Sequence, residues 1–245
     1  MAAGRRVRSG GAVRAWAMGL LLIVAVSEAA LPPLIDRRVE RAVASGFPLK
    51  DSVAARARAF PAVRMLLGQF DRLDLDIRGA RLAGLRVDSI KVRSIGARAP
   101  LSDFAPSSVR WARALGDSEV TASISDADIN DYLGGRDDAL RTFSVAFADG
   151  LVRLDGAISF AGLNVSVRSQ GHLVIEDGDR LAYAVDKLSV ERSQLPGFLL
   201  DMLEGKIELG VDLSGLPFGI SLEGMRVEAG VVHVYGRTGE GGLVP

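Results

Sequence analysis

Arg72-Leu73-Asp74-Leu75-Asp76-Ile77-Arg78, followed by Leu85-Arg86-Val87-Asp88-Ser89-Ile90-Lys91-Val92, alternates apolar and polar residues with one slip, at Ser89. A period of two places every second side chain on one face of a strand, so both runs read as strands with one buried and one wet face. The slip at Ser89 is the pattern a β-bulge leaves. Similar runs extend outward to Val109–Ile124, Leu151–Phe160, Leu163–Ile175, Leu181–Arg192, Lys206–Leu213, Ile220–Val227 and Val231–Tyr235. Helical patterns interrupt them. Pro61-Ala62-Val63-Arg64-Met65-Leu66-Leu67 opens on a proline suited to a first turn and stops at Gly68. Ser125-Asp126-Ala127-Asp128 is a capping-box pattern opening Ile129–Leu133, and Pro196–Leu203 is a strongly apolar helix ended by Gly205. The expected class is α+β: a strongly curved, mostly antiparallel sheet packed on a few short amphipathic helices.

Ahead of this body, Arg5, Arg6, Arg8 and Arg14 precede an uncharged run from Ala15 to Ser27. Thirteen helical residues cover only about two-thirds of a hydrocarbon core of about 30 Å, which suits the h-region of a signal peptide. Extension through Ala29, Ala30 and Leu31, with Pro32-Pro33 marking the exit, makes an uncleaved anchor instead, and both readings stand. Either way the arginines keep the N-terminus in the cytoplasm and the body outside. Residues 1–33 are thus an anchor or signal segment, 34–59 a juxtamembrane helical stalk, 60–238 a β-rich domain and 239–245 a tail.

Part of the domain echoes itself. Gly84–Val92 aligns without a gap on Gly219–Val227, and Pro61 on Pro196, at a constant offset of 135 residues. The segments 60–95 and 195–228 are either a duplicated helix-plus-hairpin unit or two independent segments of similar pattern.

Composition narrows the function. From Asp36 onward the chain keeps 26 of its 30 basic and 29 of its 30 acidic residues, a net charge of −3, so no overall basic field draws a nucleic acid. With no cysteine there is no disulfide, thiolate nucleophile or Cys-containing metal site. The two histidines, His172 and His233, sit inside expected strands without a motif around them. Asp126, Asp128 and Asp131 cluster, but first-turn acids are favoured at a helix N-terminus without any ligand. No catalytic residue, metal site or cofactor is expected.

Apolar surface remains. The helix at Phe198, Leu199, Met202 and Leu203, the loop at Leu216 and Phe218, and the helix at Val63, Leu66 and Leu67 with nearby Phe70 are the expected lining of an apolar groove for an acyl chain. Arg64, Arg81 and Arg110 are candidates to meet a phosphate.

Three stretches carry a family resemblance: Phe60–Asp71, then Leu82–Ser89 through Ala99-Pro100-Leu101-Ser102-Asp103, and Gly215-Leu216-Pro217-Phe218-Gly219-Ile220. With Ser125–Asn130 they resemble the LmeA-like family of bacterial phospholipid-binding proteins, in order over Leu34–Tyr235. The resemblance implies a fold similar to tubular lipid-binding domains, export behind an N-terminal membrane segment, and binding of anionic phospholipid in envelope lipid or glycolipid metabolism or transport. It implies no catalytic residues. The sequence departs from the family at Ala59, where glycine is common, and over Ala105–Asp117. The expected protein is a non-enzymatic binder of phospholipid or a membrane surface in the bacterial cell envelope, its protein partner unknown. The rival is an envelope scaffold without a lipid ligand.

Overall fold

A computed structural model of the chain describes residues 10–46, 51–82, 84–105, 115–135, 139–160, 163–191, 210–212 and 220–238. Helix α1 (Gly10–Gly46) leads into strands β1 (Val53–Arg58), β2 (Arg72–Leu82), β3 (Leu85–Ile95) and β4 (Ser118–Ser125), with a 3₁₀ turn at Ala62–Leu67 between β1 and β2. Helix α2 (Asp126–Gly134) then carries the chain to β5 (Ser144–Ala148), β6 (Leu151–Phe160), β7 (Leu163–Glu176), β8 (Arg180–Glu191) and β9 (Gly210–Asp212). The hairpin of β10 (Ile220–Glu228) and β11 (Val231–Thr238) closes the fold.

Two open antiparallel sheets result, six-stranded in the order β1-β2-β3-β4-β11-β10 and five-stranded in the order β5-β6-β7-β8-β9. The class is α+β as expected, but the strands divide between two sheets instead of forming one. The first sheet is built from both ends of the body, since β11 pairs with β4 from Val231↔Ser125 to Thr238↔Ser118. The second is an insertion between β4 and β10. Buried residues of both sheets and of α1 fall in one core, from Val39 and Val43 through Leu73, Ile77 and Ile90 to Leu154 and Val167.

The slip at Ser89 is not a bulge. Register runs unbroken from Arg72↔Ile95 to Leu82↔Leu85. What changes is the buried side: Ile90 and Val92 are buried with Leu75 and Ile77 on one face, Leu85 and Val87 with Ala80 on the other. The switch falls beside Gly79, whose φ of +64° is one that side chains avoid and whose absent Cβ leaves room for the Asp51 carboxylate. Register shifts occur instead at Leu222/Gly224 and Gln170/Gly171.

Helix α1 runs through Pro32-Pro33, the expected exit from the membrane, and on to Gly46. Two further readings change. The stalk over 34–59 is not helical throughout, because Val53–Arg58 is an edge strand that buries Ala55 and Ala57 and exposes Ala54, Arg56 and Arg58. The helix-plus-hairpin unit is not repeated as a hairpin: β2 and β3 pair with each other, whereas β9 lies in the five-stranded sheet and β10 in the six-stranded one.

Candidate functional site

The 3₁₀ turn is set by the residues at its ends. Pro61 holds an extended conformation before it, and Gly68 closes it at φ +71°, its N–H bonded to the Met65 carbonyl and its missing side chain admitting the Ala99 carbonyl. Three residues per turn put Ala62 and Met65 on one side, and both are fully buried. The other side is left in the open: Val63 is 46%, Leu66 49% and Leu67 73% exposed, beside Phe60 at 73%. Asp71 organises this rim. Its carboxylate accepts the Phe60 N–H at 2.7 Å and an Arg64 guanidinium N–H at 2.9 Å, and its carbonyl accepts the Gly96 N–H at 3.1 Å next to exposed Ile95.

Helix α1 has two regimes. Ile35, Val39, Ala42 and Val43 are buried at a helical spacing, while Trp16, Met18, Leu21, Leu22, Ile23 and Val26 are exposed. Among the described residues no helix is long and apolar enough to cross a membrane. The buried half runs along the open edge of β1, and its carboxylates accept the N–H groups that a missing strand would have taken. Asp36 accepts from Ala57 at 2.6 Å and Glu40 from Ala55 at 3.1 Å. Four helical residues rise about 6 Å and two strand residues span about 6.6 Å, so acids four apart on the helix match amides two apart on the strand. Glu28 continues the line, accepting the Ala62 N–H at 2.6 Å. Burial raises the Asp36 pKa against the opposing pull of the Ala57 N–H and Arg58.

Helix α2 covers the edge of the other sheet by the same device. The Asn130 side-chain amide accepts the Val145 N–H at 2.6 Å and donates to the Val145 carbonyl at 2.9 Å, and Asp126 accepts the Phe147 N–H at 3.4 Å. The acidic cluster therefore has structural employment. Ser125 caps α2 by accepting the Asp128 N–H, and buried Asp128 also meets Arg86 at 3.2 Å. Arg86 in turn pairs with Asp51 at 3.1 Å. Burial and the neighbouring Asp128 charge raise the pKa of Asp88.

Of the residues expected to meet lipid, Val63, Leu66 and Leu67 come together on the rim. Phe70 does not join them: it is buried, its ring edge-on to Phe104 at 6.0 Å. Phe198, Leu199, Met202, Leu203, Leu216 and Phe218 lie outside the described residues, as do Arg110 and the Pro196–Leu203 helix. Arg64 is tied to Asp71, Gln69 and the Phe60 carbonyl, and exposed Arg81 stands nine residues along β2 from Arg72, about 30 Å at strand rise. Phe60, Ile95 and Glu28 join the rim without having been singled out for it. The spacing of Asp36 and Glu40 on α1 was a readable signal for its docking; the pairing of Glu28 was not.

A cleft of about 380 Å³ opens on the wet face of the six-stranded sheet, lined by Arg56, Arg72, Asp74, Asp76, Lys91 and Arg93 among others. Its charges alternate across the strands in register, Arg56↔Asp74↔Arg93↔Glu119↔Arg237, with ion pairs of 2.7 Å from Arg72 and 3.5 Å from Arg93 to Asp74. The Arg93–Asp74 pair crosses from β3 to β2 and the Arg72–Asp74 pair runs along β2, and opposed charges of this kind stabilise a sheet. On the same face His233 Nδ1 lies 2.9 Å from Ser123 Oγ, and Nε2 3.9 Å from the half-exposed Glu228 carboxylate. Ser123 and His233 are directly opposed in strands paired on both sides, so their backbone N–H groups belong to the ladder and form no oxyanion hole. His172 pairs with Asp186 at 3.0 Å on an exposed face.

Comparison with curated proteins and with solved structures gives no match. A family profile described as LmeA-like phospholipid-binding matches residues 26–237, from the last exposed apolar residue before Glu28 almost to the end of β11. The chain therefore belongs to the LmeA-like phospholipid-binding family.

Proposed function

We propose that this protein is a non-catalytic phospholipid binder of the bacterial cell envelope. Its body lies outside the cytoplasm, and the exposed apolar stretch of α1 seats it at the membrane. The observation that carries the reading is the rim: a six-residue 3₁₀ turn that buries two side chains and turns Val63, Leu66 and Leu67 outward, in a chain whose family is a phospholipid-binding one. On this reading an acyl chain is held by Val63, Leu66 and Leu67 together with the apolar Phe198, Leu199, Met202, Leu203, Leu216 and Phe218, which lie outside the described residues. Each methylene of an acyl chain buried there contributes about 0.8 kcal/mol. Service in envelope lipid or glycolipid metabolism or transport follows from such binding.

The scaffold reading has less support, because α1 and α2 occupy one edge of each sheet, at β1 and β5, where an added strand would pair, and the family is a phospholipid-binding one. The test is mass spectrometry of lipid retained by the full chain after gentle detergent extraction. Stoichiometric phospholipid is expected. Protein that carries none and takes up none from phospholipid vesicles would overturn the proposal.

A further inference from the structure

We infer that the 3₁₀ rim is a membrane-docking surface, and that α1 is the rigid arm that presses it onto the bilayer. The inference rests on the seating of α1 in the membrane proposed above and adds the orientation of the body to it.

The direction of α1 carries the argument. Its carboxylates meet the edge of the body in reverse order, Glu40 at Ala55, Asp36 at Ala57 and Glu28 at Ala62. The helix therefore runs antiparallel to β1, and its N-terminal half leaves the body at the end where β1 meets Arg72 and where the rim stands. The exposed apolar stretch ends at Val26, two residues before the one bonded to Ala62. The apolar surface of the helix and that of the rim are thus continuous. A bilayer that receives Trp16–Val26 has its boundary near Glu28, which is the level of Phe60, Val63, Leu66 and Leu67.

Charge agrees with this placement. Of the two carboxylates at the rim, Asp71 is paired with Arg64 and Glu28 is bonded to the Ala62 N–H, while Arg98, bridged to Gln69 just behind the turn, is exposed. A basic side chain behind an apolar tip suits the headgroup layer of an anionic phospholipid bilayer. Docked in this way, the rim places the lipid-binding body where it meets lipid still in the membrane.

The chain has no cysteine, so single cysteines report position cleanly. The full chain carrying Leu67→Cys, Val63→Cys, Met18→Cys or Arg81→Cys is labelled with an environment-sensitive fluorophore. Each is reconstituted into phosphatidylglycerol–phosphatidylcholine vesicles with acyl-brominated quenchers. Labels at 67, 63 and 18 are expected to be quenched several-fold more than the label at 81, at the far end of β2. Quenching at 18 with positions 67 and 63 in water overturns the docking surface and leaves the seated helix standing. Failure at all three overturns both, and equal quenching at 81 overturns the orientation. Retention of lipid by the protein is measured separately, so failure of docking is distinguishable from failure of lipid binding.

Discussion

The Glu28 carboxylate accepts the backbone N–H of Ala62 at 2.6 Å, joining the end of the exposed apolar stretch of α1 to the first residue of the 3₁₀ turn. Ala62 is fully buried, so its amide has no water to turn to. We predict that Glu28→Ala lowers the stability of the full chain by about 1–3 kcal/mol, and that Glu28→Gln, which keeps an acceptor, loses less than half of that. Chemical denaturation in detergent micelles measures both.

Asp36 and Glu40 act on the open edge of β1. Replacing both by alanine should raise the hydrogen-exchange rates of the Ala55 and Ala57 amides by at least tenfold and promote association through that edge. Asp36→Asn alone should leave exchange nearly unchanged, because the amide oxygen still accepts from Ala57. Burial raises the Asp36 pKa, so the native state holds its proton to higher pH than the unfolded chain does. Its contribution to stability is therefore greatest at low pH and declines as pH rises through the raised value, a decline that Asp36→Asn should remove.

Asn130 takes the place of a neighbouring strand for β5. Asn130→Leu removes both bonds to Val145 and should cost about 2 kcal/mol, seen as a fall in thermal midpoint. Asn130→Asp keeps the acceptor and loses the donor, and should fall between the two.

Asp88 is raised in pKa by burial and by the adjacent Asp128. A carboxyl raised in the folded state loses its stabilising contribution as pH climbs from the ordinary carboxylate range through the raised value. Asp88→Asn is therefore expected to stabilise the protein at pH 7 and to have little effect near pH 4, in paired urea titrations. A gain equal at both pH values would show that the charge is not the cause.

Phe70 and Leu67 separate core from rim. Phe70→Ala removes a buried ring packed on Phe104 and should cost about 3–5 kcal/mol. Leu67→Ala, at a side chain 73% exposed, should stay within about 0.5 kcal/mol of the parent.

Much of the architecture was legible because strand periodicity is local. The alternation in Arg72–Arg78 marks a strand whatever it packs against, and Gly68 and Ser125 mark helix ends through backbone conformation and capping. Val53–Arg58 reads as helix because alanine and arginine are good helix formers, and only pairing with β2 overrides that preference. Val63, Leu66 and Leu67 were found as apolar residues, but the same signal also picked Phe70, since hydrophobicity does not say which side of a turn faces solvent.

By itself the sequence determined the class of fold, the family and the absence of cysteine, because these depend on composition, short-range period and motif. The tertiary structure decided what those residues face. It divided the strands between two sheets and spent the acids of α1 and α2 on the edges of β1 and β5. It also brought Ala62 to Glu28 across 34 positions of chain. An unpaired edge amide is a property of which strands end a sheet, and that follows from long-range pairing that no local pattern encodes.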